Sequence, residues 1–350
     1  DLNRDETIFY FTTCGWMMWN WLVSSLATGA TVVLYDGSPL HPDSSAMWKL
    51  AQDLKITIFG TSAKFITASE AAGERPKQKF DLSKLRSILS TGSPLVDEGF
   101  DYVYRDVKDD VLLASISGGT DLISCFALGN PTLPVHRGEL QCRGLGMAVE
   151  SFDTNGQNQL NQKGELVCTH AFPSMPIYFW NDPDGEKYYN AYFSVFSNVW
   201  CHGDYITINE HGGVKIFGRS DATLNPGGVR IGTAEIYRVA ENIDEIKDSL
   251  VVGQEWHDDE RVILFVQLAE NIELTDELIS KLKSTIKKLC SPRHVPAIIL
   301  PIDDIPYTIN GKKVEIAVKK ILKGEDVLNR DALANPESLD LYKNIPALKP

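Results

Sequence analysis

Apolar positions in the first two hundred residues alternate between short continuous runs and helical spacing. The continuous runs predict strands at residues 31–35, 56–59 and 85–91. The helical spacing predicts helices at residues 19–27 and 47–54. Because strands and helices alternate along the chain, the pattern favours an α/β layer built on a largely parallel sheet.

The pattern changes twice further along the chain. Residues 138–217 hold closely spaced strand-like runs broken by Gly, Asn and Pro, which predicts a smaller β-rich lobe. After residue 221, a helix capped by Thr233, a strand at 261–268 and a helix capped by Thr275 predict a small α+β domain. The second of these helices should direct five apolar side chains inward: Leu278, Ile279, Leu282, Ile286 and Leu289.

These changes predict a domain organisation. Residues 1–220 would belong to a large domain that includes the lobe, residues 221–330 to a small domain, and residues 331–350 to a proline-containing tail. The chain opens at Asp1 without a methionine and enters an apolar run at once. We therefore expect it to be a piece of a longer protein.

Composition and charge exclude several classes of protein. A length of 350 residues with 43% hydrophobic residues favours two domains, and a net charge of −13 leaves no basic surface for nucleic acid or for an anionic membrane. No apolar run reaches the roughly 18 to 20 residues of a membrane-spanning helix. The six cysteines lie far apart without zinc-ligand spacing, which predicts free thiols in a reducing compartment.

Two glycine-containing clusters could bind a nucleotide. In Ser117-Gly118-Gly119-Thr120-Asp121 the glycines let backbone approach a ligand, and a hydroxyl next to a carboxylate can hold a phosphate oxygen and its Mg²⁺. In His202-Gly203-Asp204-Tyr205 the carboxylate could accept two hydroxyl hydrogen bonds, as a ribose would offer. Taken alone, the first cluster is explained equally well by an ordinary turn, and an aspartate beside a glycine is usually just a turn residue.

Two further clusters carry positive charge. The stretch from Gly218 to Tyr237 places Arg219 and Arg230 on either side of Gly227-Gly228. Near the C-terminus, Lys312 follows Asn310-Gly311 at the tip of a predicted tight turn, where its ammonium could reach an anion. Lysines at turns are commonly just solvated, so the order and spacing of all four clusters matter more than any one of them.

In this order, Asp204, Gly218–Asp221, Gly227–Ile231 and Asn310–Lys312 resemble the core motifs of the adenylate-forming acyl-CoA synthetase superfamily. Within it, the chain is similar to the acetoacetyl-CoA synthetase family at residues 15–21, 36–39, 224–237 and 291–296. The resemblance covers essentially the whole chain. It implies the adenylate-forming fold: the C-terminal part of a large α/β AMP-binding domain with its β-rich lobe, followed by a small mobile α+β domain.

The resemblance also implies a two-step ligation. Acetoacetate would attack the α-phosphate of Mg·ATP to give acetoacetyl-adenylate and pyrophosphate, and the thiol of coenzyme A would then displace AMP. The resemblance implies that Lys312, Thr120 and Arg230 are the catalytic residues. It also implies that Asp121 binds Mg²⁺ and that Asp221 is the hinge between the domains. The implied cofactor-binding residues are Gly92, Ser93, Pro94, Ser117, Gly118, Gly119, Thr120, Asp204, Arg219, Gly227, Gly228 and Arg230.

The acyl pocket is implied at Trp16, Met17, Met18 and Gly118. Acetyl-CoA synthetases carry a tryptophan at the position of Gly118, so the pocket here should be deeper and should suit a four-carbon keto acid better than acetate. Flexible thioether side chains can also form an adaptable wall. The alternative is that these are ordinary core residues of the α/β layer.

One departure limits what this chain should do alone. The Gly/Ser/Thr-rich phosphate loop that the family carries before the Gly15-Trp16 segment is not among these 350 residues. We therefore expect the fragment alone to be inactive. Other short-chain acids such as propionate, acetate or a branched acid, and a non-catalytic regulatory relative, stay open as alternatives. The expected partners are small molecules bound by a cytosolic monomer, with no nucleic acid and no membrane span.

Overall fold

The computed structural model of the chain describes residues 2–220, 224, 226, 231–257, 259–309, 311–327 and 330–349. Two compact units divide it: residues 1–202 with 206–216, and residues 203–205 with 217–350. Within the described ranges, no helix is long and apolar enough to cross a membrane. The mixed α/β class expected from the sequence is confirmed.

A parallel sheet forms the core of the first unit. Its strands are β1 Thr7–Tyr10, β2 Thr31–Val33, β3 Ile58–Ser62, β4 Ser87–Thr91 and β5 Leu112–Ser115, in the order β2-β1-β3-β4-β5. The helices that accompany it are α1 Met17–Ser24, α2 Ala46–Asp53, α3 Ala63–Ala71, α4 Pro76–Lys79 and α5 Asp97–Tyr102. Phe59, Ile88 and Leu113 are fully buried in its core, as expected where helices cover a parallel sheet.

Residues 117–219 contain two smaller sheets, and residues 203–205 and 217–219 among them belong to the second unit. A hairpin sheet holds β6 Ser117–Gly119, β7 Ser124–Leu128 and β8 Cys142–Arg143. A four-stranded sheet, in the order β12-β11-β10-β9, holds β9 Val149–Phe152, β10 Gly164–Cys168, β11 Trp200–Ile208 and β12 Val214–Arg219. Helix α6, Glu186–Tyr192, lies between β10 and β11 in sequence. Residues 138–217 are therefore rich in β-strands, as predicted, while the domain boundaries themselves stay a prediction.

The second unit is built on a three-stranded sheet of β13 Ile246–Trp256, β14 Asp259–Leu268 and β15 Ile298–Pro301. Its helices are α7 Thr233–Ala240, α8 Asp276–Leu289 and α9 Glu315–Leu322. Alternate residues of β14 enter two apolar clusters, since Leu264 is buried with α7 and α8 while Phe265 is buried with α9 and the C-terminal segment. The sheet therefore has a core on each face.

Helix ends in this unit differ in part from the sequence expectations. Thr275 caps α8 as predicted, because its hydroxyl accepts a hydrogen bond from the backbone N–H of Leu278 at 3.3 Å. Thr233 is instead the first residue of α7, and Gly232 precedes it as the cap residue, with its N–H donating to Glu235. The inward orientation predicted for Leu289 is wrong: this side chain is 60% exposed at the end of α8.

Residues 331–349, which lie in the predicted tail, form short 3₁₀ turns that pack within the second unit. Leu339 and Tyr342 are fully buried, and the ring of Tyr342 lies 4.8 Å from that of Phe265. Leu348 joins the same cluster. This segment therefore forms part of the core of the second unit.

Candidate functional site

The β6–β7 hairpin carries the Ser-Gly-Gly-Thr-Asp cluster, with Thr120 and Asp121 exposed just after β6. At Gly118 the two backbones come very close, because an added Cβ would lie 1.9 Å from the carbonyl oxygen of Ser124. At Gly119 an added Cβ would lie 2.8 Å from the imidazole of His202. The glycine at 118 therefore has a packing reason of its own, and its predicted effect on the depth of the acyl pocket stays a prediction.

Gly92-Ser93-Pro94 lies beside this hairpin. It follows β4, and the residues from 116 onward follow the neighbouring strand β5, so both leave the same edge of the parallel sheet. The backbone N–H of Ile116 donates to the carbonyl of Ser90, and the hydroxyl of Thr91 donates to the carbonyl of Ile116. Crevices at the carboxyl ends of neighbouring parallel strands are common ligand sites. The structure thus brings together two of the predicted nucleotide-binding segments.

An aromatic cluster supports Asp121 from α6 and β11. The hydroxyl of Tyr192 hydrogen-bonds a carboxylate oxygen of Asp121, and the Tyr192 ring stacks on Trp200 with centroids 3.6 Å apart. Trp200 in turn approaches His202, whose ring packs against Phe126 at 4.7 Å. Sequence reasoning missed Tyr192, and the run of tyrosines at 188, 189 and 192 was the only available signal.

The predicted acyl-pocket residues at the start of α1 are mostly core residues. Met17 and Met18 are 7% and 3% exposed, and they pack with Ile8 and Tyr10 of β1. Trp16 is partly buried, with its ring edge-on to that of Tyr10 at 6.2 Å. Their burial favours the core alternative for both methionines, and a role for the segment in binding an acyl group stays a prediction.

Three predicted site residues lie together in the second unit. The Arg219 guanidinium is 3.8 Å from Oδ1 of Asp204, whose side chain is only 13% exposed. Backbone hydrogen bonds close a turn from Thr308 to Lys312, and the Thr308 hydroxyl also accepts from the Lys312 N–H at 3.0 Å. Lys312 therefore projects from a fixed turn.

The electrostatics of Lys312 connect it with the other two residues. Although much of its side chain is exposed, the protein atoms crowded around its ammonium lower the pKa of Lys312 below the ordinary value. The carboxylate of Asp204 opposes this pKa shift, and the guanidinium of Arg219 adds to it. Crowding by protein atoms disfavours the charged form of an amine, and a nearby carboxylate favours it.

Four predicted residues lie outside the described residues: Asp221, Gly227, Gly228 and Arg230. The hinge predicted at Asp221, cofactor binding by Gly227 and Gly228, and the catalytic role of Arg230 therefore stay predictions. Within the described ranges, no group of three or more His, Cys, Asp or Glu side chains could hold a metal ion.

Comparison with known proteins shows which enzymes this chain is similar to. The chain is 57% identical over 348 residues to an acetoacetyl-coenzyme A synthetase of Rhizobium meliloti, a match that covers 99% of this chain and 54% of the relative. A solved acetoacetyl-CoA synthetase from Streptomyces lividans superimposes with a TM-score of 0.90 at 45% identity, covering 97% of this chain and 52% of the other. The chain is therefore similar, over nearly its whole length, to the acetoacetyl-CoA synthetases.

The match to the acetoacetyl-CoA synthetases has a defined extent. This chain spans about half the length of the curated relatives it matches. An anthranilate CoA ligase solved with anthranoyl-AMP shares the fold at a TM-score of 0.72 and 19% identity, over 89% of this chain and 58% of the ligase. No protein-family model matches the chain. The adenylate-forming fold expected from the resemblance is confirmed.

Proposed function

We propose that the protein carrying this chain ligates acetoacetate to coenzyme A, with ATP cleaved to AMP and pyrophosphate and acetoacetyl-adenylate as the intermediate. The observation that carries this proposal is the grouping of Asp204, Arg219 and Lys312 in a chain 57% identical to an acetoacetyl-coenzyme A synthetase. The matched relative supports the choice of acid.

The charge that develops in each step determines what these residues do. When a carboxylate attacks the α-phosphorus, negative charge accumulates on the phosphate oxygens and requires a nearby cation. Lys312 holds the attacking carboxylate and the α-phosphate together from its fixed turn. Asp204 accepts hydrogen bonds from the ribose hydroxyls, and Arg219 orients that carboxylate while contacting the phosphates.

The hairpin residues fit a magnesium ion that is held mainly by the substrate. Asp121 presents an exposed carboxylate that also accepts a hydrogen bond from the Tyr192 hydroxyl. Mg²⁺ commonly takes one or two protein carboxylates and completes its shell with phosphate oxygens and water. A single carboxylate therefore suffices here, and the ion would supply charge neutralisation at the phosphates. Thr120, beside it, contacts the α-phosphate.

We also propose the compartment in which the protein acts and the molecules that it binds. None of the six cysteines is disulfide-bonded, which supports a reducing compartment such as the cytosol. Acetoacetate, ATP and coenzyme A are the small-molecule partners. The monomeric state expected from the sequence stays a prediction.

Exchange of labelled pyrophosphate into ATP by the full-length protein tests the first half-reaction. We expect exchange that depends on acetoacetate and falls on the order of a hundredfold or more with Lys312→Ala, because the developing charge then lacks its cation. Lys320→Ala, at an exposed lysine of α9, is the matched control and should leave the rate unchanged.

Comparing different acids in the same assay gives the outcomes that would contradict the proposed function. Equal exchange with acetate or propionate would show that the pocket does not select a keto acid and would contradict the assigned substrate. ATP binding without exchange for any acid would instead establish a regulatory relative.

A further inference from the structure

The lysine that follows Lys312 has an entirely different environment. The side chain of Lys313 is 15% exposed, and its ammonium is ion-paired with Glu241 and lies 2.8 Å from Oδ1 of Asp248. It also donates to the carbonyl of Ser249 and lies 4.0 Å above the ring of Tyr237. Two carboxylates, a carbonyl and an aromatic face therefore hold one ammonium on the second unit.

The carboxylate of Asp248 also contacts the residue on the other side of the turn that carries Lys312. The hydroxyl of Tyr307 donates to Oδ2 of Asp248 at 2.6 Å, while Oδ1 of Asp248 faces Lys313. The backbones of Tyr307 and Lys313 form an antiparallel bridge. Asp248 on β13 thus ties together the residues on either side of the turn that presents Lys312.

Further contacts hold this assembly on α7 and β13. The hydroxyl of Ser249, which is fully buried, donates to Glu241 at 2.8 Å, and the Ser249 N–H donates to Asp248 at 2.8 Å. The hydroxyl of Tyr237 donates to Glu315 of α9 at 2.9 Å and accepts from the backbone N–H of Val251. The carboxylates that hold Lys313 are therefore oriented by other groups.

We propose that Lys313 is a positioning residue, which with Asp248 and Tyr307 fixes the turn so that the ammonium of Lys312 is held in place for the adenylation step. This inference rests on the proposed function, since the role of Lys312 does. It assigns different tasks to two adjacent lysines: Lys312 contacts the substrates, and Lys313 anchors the turn. Because small misplacements of a catalytic group can cost on the order of a hundredfold in rate, the anchor should be visible in the kinetics.

Lys313→Met in the full-length protein is the principal test. It keeps the apolar stem and removes the charge, so the turn loses its ion pairs. We expect acetoacetate-dependent pyrophosphate exchange to fall on the order of a hundredfold, while thioester formation from added acetoacetyl-adenylate and coenzyme A stays near the wild-type rate. Lys313→Arg should recover part of the exchange rate, and Lys320→Met, at the exposed lysine of α9, should change neither rate.

A second measurement is independent of ligase activity. Competitive labelling of Lys312 with acetic anhydride across a pH series, read by mass spectrometry, reports the pKa of this one amine. In the wild-type protein this pKa lies below the ordinary lysine value because protein atoms crowd the ammonium. Release of the turn in Lys313→Met should expose the ammonium to water and raise the Lys312 pKa toward that value.

The outcomes separate the two hypotheses. A folded Lys313→Met protein with unchanged Lys312 labelling and exchange like that of Lys320→Met would overturn the positioning role. If the wild-type protein shows no exchange with any acid, the proposed function fails while the labelling comparison still decides whether Lys313 positions Lys312. If Lys313→Met does not fold, Tyr307→Phe decides instead, since it removes one hydroxyl from Asp248 and should raise the Lys312 pKa in the same direction.

Discussion

At Gly118 the β6 and β7 backbones leave no room for a side chain, which makes this residue a test of the hairpin that carries Thr120 and Asp121. A methyl group there would overlap the Ser124 carbonyl oxygen, so the strands would have to separate. We expect Gly118→Ala to lower the free energy of unfolding by about 1–3 kcal/mol, the usual cost of overpacking. Denaturant unfolding measures this change.

The control for this substitution is Gly15→Ala. An added methyl group at Gly15 meets nothing within 4 Å, so its effect on unfolding should be small. Equal unfolding free energies for the two variants would show that β6 and β7 can separate without cost. Packing of the hairpin would then not explain the absence of a larger side chain, such as tryptophan, at position 118, and the size of the substrate would be the remaining explanation.

Among the elements of the second unit, helix α8 depends on one apolar face and one cap. Leu282 is fully buried between Leu278 and Ile286 along that face, and Thr275 caps the first turn. We expect Leu282→Ala to cost about 2–5 kcal/mol through the cavity it leaves. Thr275→Ala should cost about 1 kcal/mol through the lost cap. Thermal unfolding of each variant provides the measurement.

Lys288→Ala on the exposed face of the same helix is the matched control. It should change the stability by no more than about 0.5 kcal/mol, as is usual for exposed positions. If Leu282→Ala were as mild as Lys288→Ala, the assignment of this face to the core of the second unit would be wrong.

At the scale of the whole molecule, the C-terminal segment completes one of the two cores of the second unit. A chain that ends at Asn335 lacks Leu339, Tyr342 and Leu348, which leaves Phe265 of β14 without its aromatic partner. We expect faster amide hydrogen exchange at residues 246–268 of this shortened chain. Because less apolar surface is buried against these strands, their local opening costs less free energy. Mass spectrometry of exchanged peptides provides the measurement.

Strands β3 and β4 of the first unit are the internal control. Their exchange should be the same in the full and the shortened chain, because their core contains only residues of the first unit. Unchanged exchange at residues 246–268 would show that the segment after residue 335 adds nothing to the stability of the sheet.

The sequence by itself determined the features that depend on local pattern and order. Helical spacing located α8, short apolar runs located β3 and β4, and the order of Asp204, Arg219 and Lys312 indicated the resemblance to the adenylate-forming superfamily. These could be predicted because side-chain periodicity and motif order are visible within short segments. Terminal positions were less certain, as Leu289 shows, because an end residue can leave the buried face without changing the spacing.

Only the tertiary structure decided the contacts between residues distant in sequence. Tyr192 supports Asp121 from 71 residues away, and Glu241 holds Lys313 from 72 residues away. The sequence alone could not distinguish Lys312 from Lys313, two adjacent lysines, because the difference lies in the carboxylates that other elements bring to one of them. Folding places those charges together, and pairing depends on distance in space, which no local pattern records.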